Sequence, residues 1–191
     1  MTAPAPLHTG RLVLVPRDAE AVVDVQRLLQ RLGAAGFIAE PLPEPPGAHA
    51  AGAHFLQMLA FTGCAVHLNT KPGAQGPAGT HIRVLGPYPQ PQLMYGRNSR
   101  PPGCPACGKA LADWREQVGG SRLLRCDACN HSAPAWQWKW RRQAGCGRIL
   151  ICVEDVFPGE ATPLPPLLDA LRAASGGEWQ YFYIQDDARD G

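Results

Sequence analysis

No stretch of this 191-residue sequence approaches about 18 uninterrupted apolar residues, so nothing in it reads as a membrane-crossing helix. The opening MTAPAPLHTGRLVLVPRD has no basic head leading into an apolar run; this argues against a secretory leader and sets the expectation of a cytoplasmic protein. Net charge is nearly missing too, with 18 Lys and Arg against 16 Asp and Glu, a formal +2. The loop KPGAQGPAGT, residues 71–80, has glycines but lacks the Gly-Lys-Ser/Thr ending of a phosphate cradle. No nucleophile has a base beside it. His54, His67 and His81 cannot be assembled into a site from their spacing, and EDVFPGE (154–160) reads as a solvated strand end. The expectation is therefore a protein that is not an enzyme.

Proline and glycine are plentiful, at 20 and 21 residues, which predicts many turns and connectors. With 45% hydrophobic residues the chain can bury a core of its own. RLVLV (11–15) reads as a strand, and Asp18 as the N-cap of a helix carrying Val22, Val25, Leu28, Leu29 and Leu32 on one face up to Gly33. GFIAEPL (36–42) follows as a strand. The C-terminal end repeats the order: RILICVEDVF (148–157) is apolar enough for burial on both faces. A helix then opens at Thr162 or Leu164 with Pro165 and Pro166 in its first turn, and Gly176 and Gly177 close it before the strand WQYFYIQ (179–185). Between the two units lie a helix expected over about 49–62, a weak strand CAVHLN (64–69), the Gly/Pro loop and THIRVLG (80–86). Two βαβ units predict an α+β fold with a mixed sheet, ferredoxin-like in its simplest form, made of residues 1–96 and 148–191. Residues 97–147 are expected as an insert.

The insert contains CPACGK and CDACNH, two Cys-x-x-Cys pairs with 18 residues between them. Such a turn bends the backbone so that both thiolates meet one ion, and two turns complete a tetrahedron of soft ligands. Gly108 follows the first pair and Asn130 the second; both residue types tolerate a left-handed backbone. The segment from about 100 to 142 resembles a zinc ribbon. The resemblance implies Zn2+ on Cys104, Cys107, Cys126 and Cys129, in a closed sphere that is structural. A redox dithiol and an iron or iron–sulfur centre draw on the same four cysteines. A redox pair, however, opens a helix directly after a strand, whereas these pairs lie in Gly/Pro-bounded turns. His131 beside Cys129 reads as a surface histidine, and Cys64, Cys146 and Cys152 as small buried hydrophobes.

The near-neutral average conceals a charge segregation. Residues 97–148 contain ten Lys and Arg against three acids, and residues 149–191 contain two Arg against eight acids. In WQWKWRR (136–142), tryptophans alternate with polar and basic residues as in a two-faced strand. Cations on one face and indoles on the other would suit bases stacked beside a phosphate-binding surface. Alternatively, the indoles pack the module against the sheet. The expected contact residues are Arg122, Arg125, Trp136, Trp138, Lys139, Trp140, Arg141 and Arg142, with nucleic acid as the leading partner. A second protein, held by a purely structural ribbon, is the alternative, and a thiol oxidoreductase would require metal-free cysteines.

Overall fold

The computed structural model describes residues 10–62, 80–120, 123–156 and 159–185. The expected strand CAVHLN, most of the Gly/Pro loop, Cys64, His67 and Arg122 lie outside these residues. Six strands form the main sheet: β1 (Gly10–Pro16), β2 (Ile38–Pro41), β3 (Ala48–Ala51), β5 (Ile82–Leu85), β10 (Leu150–Glu154) and β12 (Trp179–Gln185). Their order is β12-β1-β10-β5-β3-β2, and every pairing is antiparallel. The protein is thus α+β with an open antiparallel sheet, not the mixed sheet expected. The helix α4 (Pro165–Ser175) leaves β10 and returns to β12 on the far side of β1, so the two strands of that unit flank a third instead of pairing.

The two faces of the sheet are covered differently. Alternation along β1 sends Leu12 and Leu14 to one face and Val13 and Val15 to the other, and β10 divides Ile151 and Val153 from Leu150 and Cys152. The first face carries α1 (Val25–Ala34), through Leu28 and Leu32, and α4, through Leu167, Leu171 and Ala174. The second is covered by β6 (Gln92–Tyr95) and β9 (Ala144–Gly147), an antiparallel pair whose Met94 packs near Cys152. Gly145 lies against the Phe182 ring; a Cβ there would sit 2.8 Å from Cδ1 and closer still to Cε1, so only glycine lets β9 approach this closely. All of β10 is buried, as its apolar run predicts.

Three local expectations fail for identifiable reasons. The first helix starts at Val25, capped by Asp24, whose carboxylate accepts from the Arg27 N–H at 3.1 Å. Asp18 instead closes a turn by accepting from the Glu20 N–H, and Val22 is left 79% exposed. The helix expected over 49–62 is broken into a strand, one helical turn and a second strand. Ala48 and His49 pair with β5, only α2 (Phe55–Met58) is helical, and β4 (Leu59–Phe61) pairs with β11 (Ala161–Pro163). A vacant place between β2 and β5 overrides the weak local preference there. Finally, WQWKWRR forms no strand but two short 3-10 turns, Ala135–Gln137 and Arg141–Gln143. The α4 expectations hold: Leu164 is the N-cap, prolines occupy the first turn and Gly176 ends the helix.

The β6–β9 pair carries the chain out to residues 96–143 and back. There the helix α3 (Trp114–Gly120) and a hairpin of β7 (Leu123–Arg125) with β8 (Ser132–Pro134) surround a separate apolar cluster containing Leu111, Trp114, Leu124, Trp138 and Trp140. The turn at 96–99 fastens this region to edge strand β12. The Arg97 N–H donates to the Gln185 carbonyl at 2.9 Å, and the Asn98 side chain bonds both the Gln185 N–H and the Tyr183 carbonyl. Half of an otherwise open sheet edge is covered in this way. Arg115 of α3 donates to the carbonyls of Gly96 and Ser99 and lies over the Trp114 ring, 4.4 Å from its centroid. Among the described residues no helix is long and apolar enough to cross a membrane.

Candidate metal centre and the groove beside it

The two Cys-x-x-Cys turns are built alike. In the first, the Cys104 N–H donates to the Lys109 carbonyl and the Gly108 N–H to the Cys104 carbonyl; in the second, the Cys126 N–H donates to His131 and the Asn130 N–H to Cys126, all at 2.8–2.9 Å. Both turns need a left-handed residue at the same place, and Gly108 (φ 76°) and Asn130 (φ 58°) supply it, as the sequence predicts. The hairpin β7–β8 carries the second turn. Backbone pairing of Gly103 with both Ala110 and Lys139 frames the first.

This duplication brings four sulfurs together. All lie within 4.8 Å of one another, and two of the separations, Cys104–Cys129 and Cys107–Cys126, are 3.7 Å. A tetrahedron with metal–sulfur bonds of about 2.3 Å has edges of about 3.8 Å, so the donors fit one ion. A disulfide needs sulfurs about 2 Å apart, and the four cysteines are free thiols. Cys104 and Cys126 are buried while Cys107 and Cys129 are exposed, so one side of the cluster faces the module core and the other faces solvent.

The electrostatics of the bare cluster are uneven. Burial raises Cys104, but backbone hydrogen bonds from Cys107 and Ala106, helped by the thiols of Cys129 and Cys126, outweigh it and bring the group down to about 6. At Cys129 a backbone hydrogen bond from His131 favours the thiolate, but desolvation and the three neighbouring sulfurs push it up to about 12. Four thiolates held this close repel one another, and a divalent cation bound among them would relieve that repulsion. The metal-capable set among the described residues is these four cysteines; His131 contributes through its backbone. Cys146 and Cys152 are buried away from the cluster, and burial alone pushes the Cys146 thiol up to about 12.

The expected contact residues divide into two groups. Trp138 and Trp140 are 4% and 6% exposed, and their indole N–H groups donate to the Ala133 and Ala135 carbonyls at 3.1 and 2.6 Å. Trp140 also meets Trp114 edge-on at 5.1 Å. These two indoles form the module core and offer no face to a base. Lys139, Arg141 and Arg142 are exposed, so the inside–outside alternation read from the sequence is present without the strand. Arg125, also exposed, bonds Asn130 at the second turn.

A groove of about 640 Å3 lies where the module meets β12. Lys139, Arg141, Arg142 and Trp136 line it from the module, Arg17, Asp18 and Tyr181 from the sheet. Arg142 stacks over the Tyr181 ring at 5.1 Å and donates to its hydroxyl at 3.3 Å. Arg17 and Tyr181 escaped the sequence reading because they are far along the chain from the module and belong to no motif. The chain matches no protein-family model, no curated protein and no solved structure.

Proposed function

We propose that Cys104, Cys107, Cys126 and Cys129 hold one structural Zn2+ and that the module they organise is a non-enzymatic nucleic-acid-binding element. Four sulfurs close the coordination sphere and leave no position for water or substrate. The observation that carries the binding reading is the state of the charges. Arg125, Lys139, Arg141 and Arg142 take part in none of the ion pairs among the described residues, where Glu154 is held by Arg11 and Arg83, and Asp169 and Glu178 by Arg172. Glu154, Asp169 and Glu178, three of the eight acids that follow residue 148, are in this way engaged away from the module, and exposed cations remain for a polyanion. A second protein is the competing partner. It is favoured by the burial of Trp138 and Trp140, which removes two of three expected stacking platforms.

The same reading treats residues 97–147 as an insert on a ferredoxin-like core enlarged by two strands. The order β12-β1-β10 followed at the far edge by β2, together with an apolar cluster whose buried members all fall within 104–146, supports it. The deciding measurements are elemental analysis of protein purified without chelator and oligonucleotide retention at several salt concentrations. One zinc per chain is expected, and affinity should fall with salt at a slope of about 0.7 to 0.9 per phosphate contacted. Arg141→Glu with Arg142→Glu should abolish retention with the fold intact. No retention by the wild type at low salt would leave the protein-partner reading in its place.

A further inference from the structure

We propose that the groove between the module and β12 is a binding site for one nucleoside phosphate unit, free or within a single strand. This deepens the nucleic-acid reading and rests on it for the biological source of the ligand. The charge of the groove selects an anion: among the described residues, Arg17, Lys139, Arg141 and Arg142 line it against a single carboxylate, Asp18, which already accepts from the Glu20 N–H. None of these four cations is in an ion pair among the described residues. Several convergent cations match a phosphate better than a lone carboxylate.

The walls select a flat ring. Tyr181 and Trp136 are both half-buried, and the Arg142 guanidinium stacked over Tyr181 makes a planar cationic surface of the kind that bases stack upon. Trp136 differs from its two neighbours in the sequence. Their indole N–H groups are bonded to backbone carbonyls, whereas Trp136, which lines the groove, packs on the module cluster with its Nε1 buried and without an acceptor. The backbone adds a further pair of groups. On β12 the backbone of Gln185 and Tyr183 faces outward to Arg97 and Asn98, and strand alternation turns Tyr181 the same way, into the part of the edge that the groove leaves open.

Two more observations agree. Arg141 has a left-handed backbone (φ 55°), rare for a residue with a side chain and concentrated at ligand sites in proteins generally. The volume, about 640 Å3, is within the range of about 300 to 1,000 Å3 usual for small-molecule sites.

The test is titration of the zinc-loaded full chain, followed by calorimetry, with adenosine monophosphate, uridine monophosphate, inorganic phosphate, an eight-nucleotide single strand and a blunt duplex. Both monophosphates and the single strand should bind, with inorganic phosphate at least about tenfold weaker because it lacks the stacking contact. Arg17→Ala and Tyr181→Ala should each weaken monophosphate binding about tenfold, whereas Arg31→Ala, exposed on α1 and outside the groove, should leave it unchanged. Trp136→Phe keeps a ring and removes the donor; its zinc content and melting temperature show whether a lost signal reflects binding or folding. If the single strand binds but is insensitive to Arg17→Ala and Tyr181→Ala, the groove assignment is wrong while the nucleic-acid reading stands. If the monophosphates bind and neither oligonucleotide does, the groove is a site for free nucleotides and the nucleic-acid reading fails. Absence of monophosphate binding overturns the groove assignment in every case.

Discussion

Stripping the metal should unfold the module and spare the sheet. Cys104 and Cys126 are buried members of the same apolar cluster as Leu111, Trp114, Leu124, Trp138 and Trp140, so an ion held by the four cysteines would be a cross-link inside that small core. Structural zinc in small modules contributes about 10 to 16 kcal/mol of apparent binding free energy, comparable with or above the roughly 5 to 15 kcal/mol that stabilises a whole domain. Its loss therefore cannot be absorbed locally. The sheet has two clusters of its own, one under α1 and α4 and one under β6 and β9, and neither contains a metal-ligating cysteine. Tryptophan emission separates the two regions: Trp114, Trp136, Trp138 and Trp140 belong to the module, and Trp179 packs under α4. Chelation should shift the emission strongly to the red while far-UV dichroism keeps its sheet contribution. Hydrogen exchange should show the Gly108, Cys126 and Asn130 amides losing protection while those of β1 and β10 keep it. If emission does not move once metal analysis shows complete removal, the module is held by its apolar cluster alone and the reasoning fails. If β1 and β10 lose protection in step with the module, the sheet is not independent of the metal.

Gly145→Ala places a methyl group against the Phe182 ring and should destabilise the sheet by about 1 to 3 kcal/mol, seen as a lower melting temperature. Gly119→Ala, in a helix and with nothing within 4 Å of the added carbon, is the control and should raise stability by up to about 1 kcal/mol. Arg115→Ala removes a charged donor shared by the carbonyls around Gly96–Ser99 and should cost about 1.5 to 3 kcal/mol. The loss should appear as faster exchange of the Arg97 amide and no change in metal stoichiometry.

What the sequence reveals is what short-range chemistry controls. The two cysteine turns, with Gly108 and Asn130 at their left-handed positions, are written in consecutive residues. The limits of α4 are marked by Pro165, Pro166 and Gly176 in the same way, and the burial of β10 by its unbroken apolar run. The missed features depend on what lies across space. Residues 48–51 become a strand because β2 and β5 leave room for one, and nothing in Ala48–Ala51 signals it. The strand expected over 136–142 yields to 3-10 turns because Trp138 and Trp140 reach back to carbonyls at 133 and 135, a geometry that satisfies both indole donors inside a small core. The antiparallel order of the sheet, and the meeting of Arg17 and Tyr181 with the module, are likewise products of assembly.

The cysteine cluster and the groove are joined by a short covalent and hydrogen-bonded path, which predicts that a metal bound at one and a monophosphate bound at the other depend on each other thermodynamically. Lys139 exchanges both backbone hydrogen bonds with Gly103, at 3.0 Å each, and Gly103 immediately precedes the ligand Cys104. Trp138 and Trp140, on either side of Lys139, are set in the cluster that Cys104 and Cys126 help to close. The module wall of the groove is thus positioned by the metal site, while the sheet wall of Arg17 and Tyr181 is not. Chelation should then abolish monophosphate binding although Arg17 and Tyr181 keep their places. Linkage requires the reverse effect by the same factor: a bound monophosphate must strengthen the hold on the metal. The measurement is the equilibrium fraction of metal extracted by a fixed concentration of chelator, with and without a saturating monophosphate, read from zinc released into a colorimetric indicator. Monophosphate should reduce that fraction in the wild type and, at the same concentration, reduce it less in Tyr181→Ala. Equal extraction in both conditions by a wild type that binds the monophosphate would show that the groove forms without the metal, and the path through Gly103 and Lys139 would carry no coupling.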